Sequence, residues 1–248
     1  MVHLATVYAF SLQQPEDVTK KLAALLSEDE ERRAARFVFE HLRQRFRNGR
    51  GLLRCVLGAE VGVSPESLAF EYGENGKPSL REWPGVQFNV SHSGNVWMCA
   101  ISHGRRVGID VEETREMKDA MQICSRFFSP DEVRSLHLVP EARRSEAFLN
   151  CWTRKEAFLK VTGEGLQRPL DSFSVTLDPE AEPALLVVDG AAPSAGSWKL
   201  LAFTPQPGTV AALVLALQDG APVSGSILIR LLPEAPYGGR AFAVEAGN

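Results

Sequence analysis

The sequence predicts an α+β protein made of two lobes, residues 1–105 and residues 106–218, followed by an extension over residues 219–248. Strand patterns and helix patterns occur together in each half of the chain, which is the first reason for this prediction. The second is composition: 248 residues with 44% hydrophobic and 23% charged side chains are enough for a substantial core without metals or disulfides.

Composition and charge exclude several classes of protein. No apolar run approaches the roughly 20 residues of a membrane span, and the N-terminus lacks the basic start and apolar core of a signal peptide. The four cysteines show no CxxC spacing, which argues against a zinc site or a disulfide framework and favours a reducing compartment. A net charge of −4 gives no general attraction to nucleic acid. We expect a cytoplasmic protein with neither a membrane nor a nucleic-acid partner.

The elements of the first half follow from periodicity and from turn signals. A short helix is predicted over 17–26. Ser27 and Glu30 form a capping box that starts an arginine-rich helical pattern. This pattern runs to about Leu57, with a break predicted near Asn48 and the glycine after it. Strands are predicted over 2–10, 68–72, 86–93 and 96–102.

A glycine–asparagine pair, Gly94-Asn95, predicts a hairpin between the last two of these strands. The stretch "VGIDVEE" (107–113) then reads as the third strand of a meander. In the second half, "SPDE" (129–132) is a capping-box helix start, and a long helix is predicted over about 141–162, ending at Gly163. Further strands are predicted over 172–177, 197–203 and 209–217, and no regular structure over 233–248.

The stretch "VGIDVEE" places Asp110 and Glu112 two residues apart, hence on one face of a strand. Two such carboxylates repel each other and resist leaving water. A third carboxylate, Glu156, shares a helix face with Trp152 and Lys160. Spacing alone also suits an ordinary surface ion pair between Glu156 and Lys160. Two interpretations therefore stay open here: this surface pair, or a third carboxylate that joins Asp110 and Glu112.

A divalent cation would explain three converging carboxylates, because it removes their repulsion. Oxygen ligands without histidine or cysteine favour Mg²⁺, or Mn²⁺. Since Mg²⁺ commonly shares substrate phosphates, this set predicts a phosphorylated substrate. Lys160, His92 and Lys77 are candidate phosphate contacts, although a lone histidine or a turn lysine is by default structural or solvated. Eight arginines between residues 32 and 54, with Glu40 the only acid among them, exceed what solubility requires.

The motif set resembles the Sfp-type 4′-phosphopantetheinyl transferases over about residues 1–217. It comprises "ENGKP", "FNVSHSG", "VGIDVEE", "RFFSPDE" and "WTRKEAFLKVTGEGL". The resemblance implies a pseudodimer of two similar α+β lobes with coenzyme A bound between them. It also implies an Mg²⁺-dependent transfer of the phosphopantetheine arm of coenzyme A to a serine of an apo acyl or peptidyl carrier protein. The other product is 3′,5′-ADP.

The resemblance assigns roles residue by residue. Asp110, Glu112 and Glu156 match the metal-binding acids, and Lys160 matches a lysine on the coenzyme A phosphates. The remaining matches are Ser91 and His92 near the nucleotide, with His92 on phosphate; Lys77 at the coenzyme A site; Arg45 and Arg33 around the 3′-phosphate; and Phe46 on the adenine side.

Two positions remain open in this comparison. Glu132 matches an acid of the family and is either near the metal or only the glutamate of its capping box. Glu30 stands where some relatives carry lysine, which leaves the 3′-phosphate contacts of the first helix undefined. Residues after about 218 extend beyond the part of the chain that can be aligned.

Glu156, or a metal-bound water that it orients, is the candidate general base, with Lys160 and His92 steadying the phosphates. Competing interpretations are a metal-dependent nuclease and a coenzyme A-binding regulator without catalysis. The carrier could contact Met117 and Met121, although core packing is the simpler role for at least one of them. Two lobes on one chain can build a whole site, so we expect a monomer.

Overall fold

The computed structural model describes residues 3–73, 76–194, 196–217, 226–232 and 240–245, and the fold is α+β as the sequence predicts. The elements of the first half are β1 (His3–Ser11), α1 (Glu16–Ala23), α2 (Glu28–Ala34), α3 (Glu40–Val61), β2 (Phe70–Tyr72), β3 (Pro78–Leu80), β4 (Val86–Ser93) and β5 (Val96–His103). Those of the second half are β6 (Val107–Glu113), α4 (Ala120–Phe127), α5 (Pro130–Leu138), α6 (Arg144–Thr162), β7 (Phe173–Val175), β8 (Leu185–Val188), β9 (Trp198–Phe203) and β10 (Thr209–Ala216). Two more strands follow, β11 (Ser226–Leu232) and β12 (Arg240–Glu245).

The two halves repeat one order of elements: a strand, three helices and four strands. Their sheets also share a topology. The first sheet contains the order β1-β5-β4 and the second has the order β6-β10-β9, so in each half the first strand pairs with the last. A small hairpin, β2-β3 or β7-β8, occupies the same place in each half. This is the two-lobed architecture that the resemblance implies.

The prediction that β6 is the third strand of a meander is wrong. β6 pairs antiparallel with β10 and belongs to the second sheet. Its apolar residues Val107, Ile109 and Val111 pack against the inner face of the first sheet, which includes Val7 and Met98. Since β6 buries this face by stacking on the first sheet, it cannot also extend that sheet edge to edge.

The core has three parts, and together they define four layers. The layer between the two sheets is the apolar cluster just described. On the outer face of the first sheet, Leu52 and Leu57 of α3 pack with Trp97 and Phe88. On the outer face of the second sheet, residues of α6 such as Phe158 pack with β10. No helix among the described residues is both long and apolar enough to cross a bilayer.

Both capping boxes are confirmed, and so is the end of α6 at the left-handed Gly163, where φ is 82°. The predicted break near Asn48 is wrong, because the arginine-rich pattern divides at residues 35–39 instead. Asn48 is buried inside α3 and donates to the backbone O of Leu12 at 2.9 Å. The next residue, Gly49, lets the Trp97 ring lie against the helix. These two residues therefore serve packing and not chain reversal.

The C-terminal segment extends the first sheet. β11 pairs parallel with β1, and β12 pairs antiparallel with β11. The expectation that residues 233–248 lack regular structure is therefore wrong for Arg240–Glu245. Ile227 and Ile229 of β11 are buried in the layer between the sheets, so part of the segment predicted as an extension contributes to the core.

Candidate active site

The edge strands β4 and β6, one from each lobe, are joined by side chains. Every second residue of β4 presents a polar group to β6, because alternate residues of a strand share a face. The contacts are Asn89 Oδ1 accepting from Ile109 N at 2.9 Å, Ser91 Oγ donating to Asp110 Oδ1 at 2.8 Å, and Ser93 Oγ donating to Glu112 Oε2 at 2.8 Å. We call these three contacts the polar seam.

Asp110 lies at the centre of the polar seam. It is only 5% exposed, and its Oδ1 accepts from Ser91 and, at 2.7 Å, from Lys160 Nζ. Its Oδ2 is buried and has no hydrogen-bond partner. Burial raises the pKa of Asp110, and the negative charge of Glu112 adds to the rise, against the opposing effects of Lys160 and Ser91. A buried carboxylate oxygen without a hydrogen-bond partner is available to coordinate a cation.

Gly108 explains how α6 reaches this carboxylate. A Cβ atom at Gly108 would lie 2.1 Å from the backbone O of Ala157 and 2.6 Å from the backbone N of Val161, so only glycine lets the helix lie directly on β6. The contact brings Lys160 Nζ within 3.1 Å of the backbone O of Ile109, beside the Asp110 carboxylate.

Glu156 lies one helical turn before Lys160, and its side chain is partly buried. It has no hydrogen bond or ion pair with any described residue. Burial raises the pKa of Glu156, and the charges of Asp110 and Glu112 raise it further, against the lowering effect of Lys160. The three predicted acids therefore influence one another electrostatically.

The described residues contain no group of three or more His, Cys, Asp or Glu side chains already arranged to hold a metal ion. The donor set nevertheless fits Mg²⁺, because it offers hard carboxylate oxygens. One of these, Asp110 Oδ2, is buried without a partner.

Two adjacent pockets extend from the polar seam. The first, about 250 Å³, is lined by Lys77, Lys160, Glu156 and Asn89, and we call it the lysine pocket. The second, about 290 Å³, is mostly apolar and is lined by Arg45, Phe46 and His92 together with Phe37, Leu42 and Trp97. We call it the apolar pocket. Pro78 and Val90 border both, so the two form one continuous cleft.

Lys160 pairs with Asp110, whereas Lys77, His92 and Arg45 form no ion pair with the described residues. Lys77 Nζ donates to the backbone O of Lys160 at 2.8 Å, and burial and the charge of Arg106 lower the pKa of Lys77. The ring of His92 remains partly in solvent, yet desolvation against the cleft and the charges of Arg45 and Lys160 lower its pKa. Arg45 donates to Asn95 Oδ1 at 2.9 Å and to the backbone O of Gly94. Such a site favours an anionic ligand.

Several arginines of the run pair with acids of the preceding helix, so their excess over what solubility requires does not by itself indicate a phosphate site. Arg54 and Arg50 pair with the buried Glu30, and Arg47 pairs with Glu31 at 2.7 Å. Burial opposes ionisation of Glu30, but hydrogen bonds from Arg54 and the Ser27 backbone N, with the charge of Arg50, lower its pKa.

Arg33 is not among the described residues that line either pocket. It is exposed, with its guanidinium 5.0 Å from the centre of the Tyr72 ring. The structure therefore does not bring Arg33 together with Arg45 in the cleft.

Glu132 is part of the protein's framework. It is 1% exposed, completes the capping box with Ser129, pairs with Lys155 Nζ at 2.8 Å and accepts from the backbone N of Val175 at 2.8 Å. These contacts favour the capping-box alternative. Met117 and Met121 are partly buried against the core of the second lobe.

Sequence reasoning did not single out Asn89, Ser93 or Gly108. The polar alternation in "FNVSHS" was the available signal for the first two. The need for Gly108 depends on a helix that lies some 50 residues later in the chain, and no local pattern reveals it.

Comparisons with known proteins agree with this geometry. The family model described as the 4′-phosphopantetheinyl transferase superfamily matches residues 106–214. A second model, described as 4′-phosphopantetheinyl transferase, N-terminal, matches residues 14–103. The boundary between the two matches falls where the element order begins to repeat.

Curated relatives carry the same description. The 4′-phosphopantetheinyl transferase HetI of Nostoc sp. is 40% identical over 218 residues, which cover 87% of each chain. The transferase psf-1 of Bacillus pumilus is 33% identical, covering 75% of this chain and 81% of its own. The transferase Sfp of Bacillus subtilis is 29% identical, covering 75% and 83%. The resemblance of the motifs is thereby confirmed, and the chain belongs to the 4′-phosphopantetheinyl transferase superfamily of enzymes.

Proposed function

We propose that this chain transfers the 4′-phosphopantetheine arm of coenzyme A to a serine of an apo acyl or peptidyl carrier protein and releases 3′,5′-ADP. Family membership supports the reaction. The observation that carries the mechanism is Asp110, a buried carboxylate with one unpartnered oxygen at the meeting point of the two lobes. It lies between a second acid on its own strand, Glu112, and the helix that supplies Glu156 and Lys160.

Asp110, Glu112 and Glu156 would hold Mg²⁺. When bound, Mg²⁺ would neutralise pyrophosphate oxygens and offset the charge that develops during phosphoryl transfer. The raised pKa values of Asp110 and Glu156 support this assignment, because both reflect burial and mutual repulsion that a cation would relieve.

Lys160 and His92 would hold the phosphates and stabilise the leaving 3′,5′-ADP. Lys160 Nζ is anchored by Asp110 and by the backbone O of Ile109, so its charge is fixed at the side of the lysine pocket. Lys77 would contact the same coenzyme. Arg45 and, from outside the cleft, Arg33 would reach the 3′-phosphate, while Phe46 in the apolar pocket would contact the adenine.

In the transfer step the carrier serine Oγ forms a bond to the β-phosphorus of coenzyme A, and the bond from that phosphorus to the bridging oxygen of 3′,5′-ADP breaks. Glu156 would accept the serine proton. The Glu156 carboxylate has no hydrogen bond to the described residues, which leaves it available as the general base.

Compartment and assembly follow from other features. The cysteines are free thiols, which suits the reducing cytoplasm. Both lobes of one chain contribute to the cleft, so a monomer is sufficient for activity. The carrier belongs to fatty-acid, polyketide or nonribosomal peptide synthesis.

The test mixes the protein with an apo carrier, coenzyme A and Mg²⁺ and records the intact mass of the carrier. The controls contain EDTA or a carrier whose acceptor serine is alanine. A gain of one phosphopantetheine that both controls abolish is the expected result. Coenzyme A binding without transfer to any carrier class would instead indicate a regulator, and absence of both would overturn the proposal.

A further inference from the structure

Two serines of β4 each hold one oxygen of a carboxylate on β6. Ser91 Oγ donates to Asp110 Oδ1 and leaves Oδ2 without a partner. Ser93 Oγ donates to Glu112 Oε2, which also lies 3.5 Å from Arg115 Nη1. Oε1 of Glu112 has no hydrogen-bond partner among the described residues. Asp110 and Glu112 thus each have one oxygen fixed by a serine and one oxygen available.

The direction of the Ser93 hydroxyl is determined by its neighbours. Its oxygen accepts from the backbone N of Glu113 at 3.1 Å, so its single proton is directed to Glu112 Oε2. The contact is only partly buried, and it lies at the end of β4 next to the turn.

The turn that follows Ser93 is itself fixed from two sides. Gly94 has φ of 50° and leaves no room for a Cβ beside the Glu113 carboxylate, and the backbone N of Asn95 lies 3.4 Å from Glu113 Oε1. From the other side, Arg45 of α3 donates to Asn95 Oδ1 and to the backbone O of Gly94. The turn after Ser93 is therefore held in place by contacts that do not involve Asp110, Glu112 or Glu156.

We propose that Ser93 is a positioning residue for Glu112: its hydroxyl holds Oε2 so that Oε1 turns toward the unpartnered oxygen of Asp110 and can receive the cation. The inference rests on the metal role of Glu112 in the proposed function. It adds a residue that the family resemblance, which covers Ser91 and His92, does not assign. Groups that orient metal-holding side chains typically change metal affinity 10–100-fold when they are removed.

A purely structural role for Ser93 makes a different prediction. If the hydroxyl only fastens the turn to the backbone of Glu113, its removal lowers stability but leaves metal affinity unchanged. Ser102 is the matched control, because its buried hydroxyl on β5 donates to the backbone O of Leu4 at 2.7 Å, away from the acids.

The experiment measures Mn²⁺ binding by electron paramagnetic resonance in the presence of coenzyme A and without a carrier. Ser93→Ala is expected to raise the Mn²⁺ Kd about tenfold, whereas Ser93→Thr, which keeps the hydroxyl, and Ser102→Ala stay within about threefold of the unsubstituted chain. Thermal unfolding of each variant is recorded alongside, and Ser93→Cys, a weaker donor of similar size, replaces Ser93→Ala if the alanine variant does not fold.

The outcomes separate this inference from the function on which it rests. If Ser93→Ala leaves the Mn²⁺ Kd unchanged while Glu112→Gln binds Mn²⁺ much more weakly, the positioning role of Ser93 is overturned. The assignment of Glu112 as a metal ligand then stands. Equal Mn²⁺ binding by the unsubstituted chain and Glu112→Gln, or no Mn²⁺ binding at all, overturns the metal role of Glu112 and the inference with it.

Discussion

Helices α3 and α6 occupy equivalent places in the repeated order of elements, yet their charges are handled in opposite ways. On α3, Arg50 and Arg54 both pair with the buried Glu30 of α2. On α6, Glu156 has no partner among the described residues, and Lys160 is shared between Asp110, Ser91 and a backbone oxygen.

The two helices differ because of where their charged residues lie and not because of the fold. The α3 pairs are closed inside the first lobe, whereas the α6 groups face the strand that meets the other lobe. Even α6 has a closed pair, Lys155 with Glu132, on the side that faces its own core. One architecture thus pairs charges inside each lobe and leaves Glu156 unpaired at the junction, where we propose that it binds the cation.

The largest expected effect is on turnover. Glu156→Gln should lower kcat by about 10³-fold, because it removes the side chain that we propose both as a metal ligand and as the general base. Glu146→Gln is the matched control on the same helix, since Glu146 pairs with Arg143 on the surface and should leave kcat within about twofold. Carrier modification followed by mass spectrometry measures both. Near-normal turnover of Glu156→Gln at saturating Mg²⁺ would contradict the assignment.

Substitutions of the paired arginines on α3 are expected to change stability and not turnover. Arg54→Met should lower the free energy of unfolding by about 3 kcal/mol, because it leaves Glu30 buried with one partner fewer. Arg36→Met, at an exposed position of the same arginine run, should change it by less than about 0.5 kcal/mol. Urea unfolding measures both. If Arg54→Met folds with unchanged stability but loses turnover, the claim that the α3 pairs serve stability is contradicted.

The contact between α6 and β6 can be tested at Gly108. Gly108→Ala should lower the free energy of unfolding by about 1–3 kcal/mol, because the added methyl group collides with the backbone of Ala157. Turnover should fall as well, since α6 must move away from Asp110. Gly104→Ala provides the comparison, because its Cβ would meet open space although its φ of 71° adds local strain. Normal turnover in Gly108→Ala would show that this close approach is dispensable.

The smallest effect concerns stability in the absence of metal. The raised pKa values of Glu156 and Asp110 mean that the folded chain holds their protons more tightly than the unfolded chain does. Their contribution to stability is therefore full at acidic pH and is lost as the pH rises through the raised pKa values. In EDTA at pH 7.5, Glu156→Gln should raise Tm by about 2 °C, and the gain should shrink on acidification. Calorimetry across pH 5–8 would disprove this if the gain grew instead.

Local patterns predicted local structure well. The capping boxes at Ser27 and Ser129 and the end of α6 at Gly163 were predictable because each depends on a few neighbouring residues. The strand partner of β6 was not predictable from local patterns, since pairing with β10 joins residues about a hundred positions apart. The partners of the arginines were not predictable for the same reason, because these acids lie on the preceding helix.

The site itself was predictable only as a set of residue types. The strand spacing of Asp110 and Glu112 and the helix spacing of Glu156 and Lys160 pointed to a cation, and the motifs agreed with this set. The supporting residues became visible only when the lobes were placed together, because Ser93 acts across the junction. The motif resemblance placed Arg33 with Arg45, but Arg33 lines neither the apolar pocket nor the lysine pocket.

The position of β1 in its sheet has a consequence for synthesis. Thr6 lies opposite Ile101 on one side and opposite Leu228 on the other, so β1 is completed by a strand that is synthesised about 220 residues later. Until residues 226–232 emerge, β1 presents an open edge, and exposed strand edges associate with other chains. A prematurely terminated product would keep that edge, so translation that stops early should give aggregates in place of a smaller working enzyme.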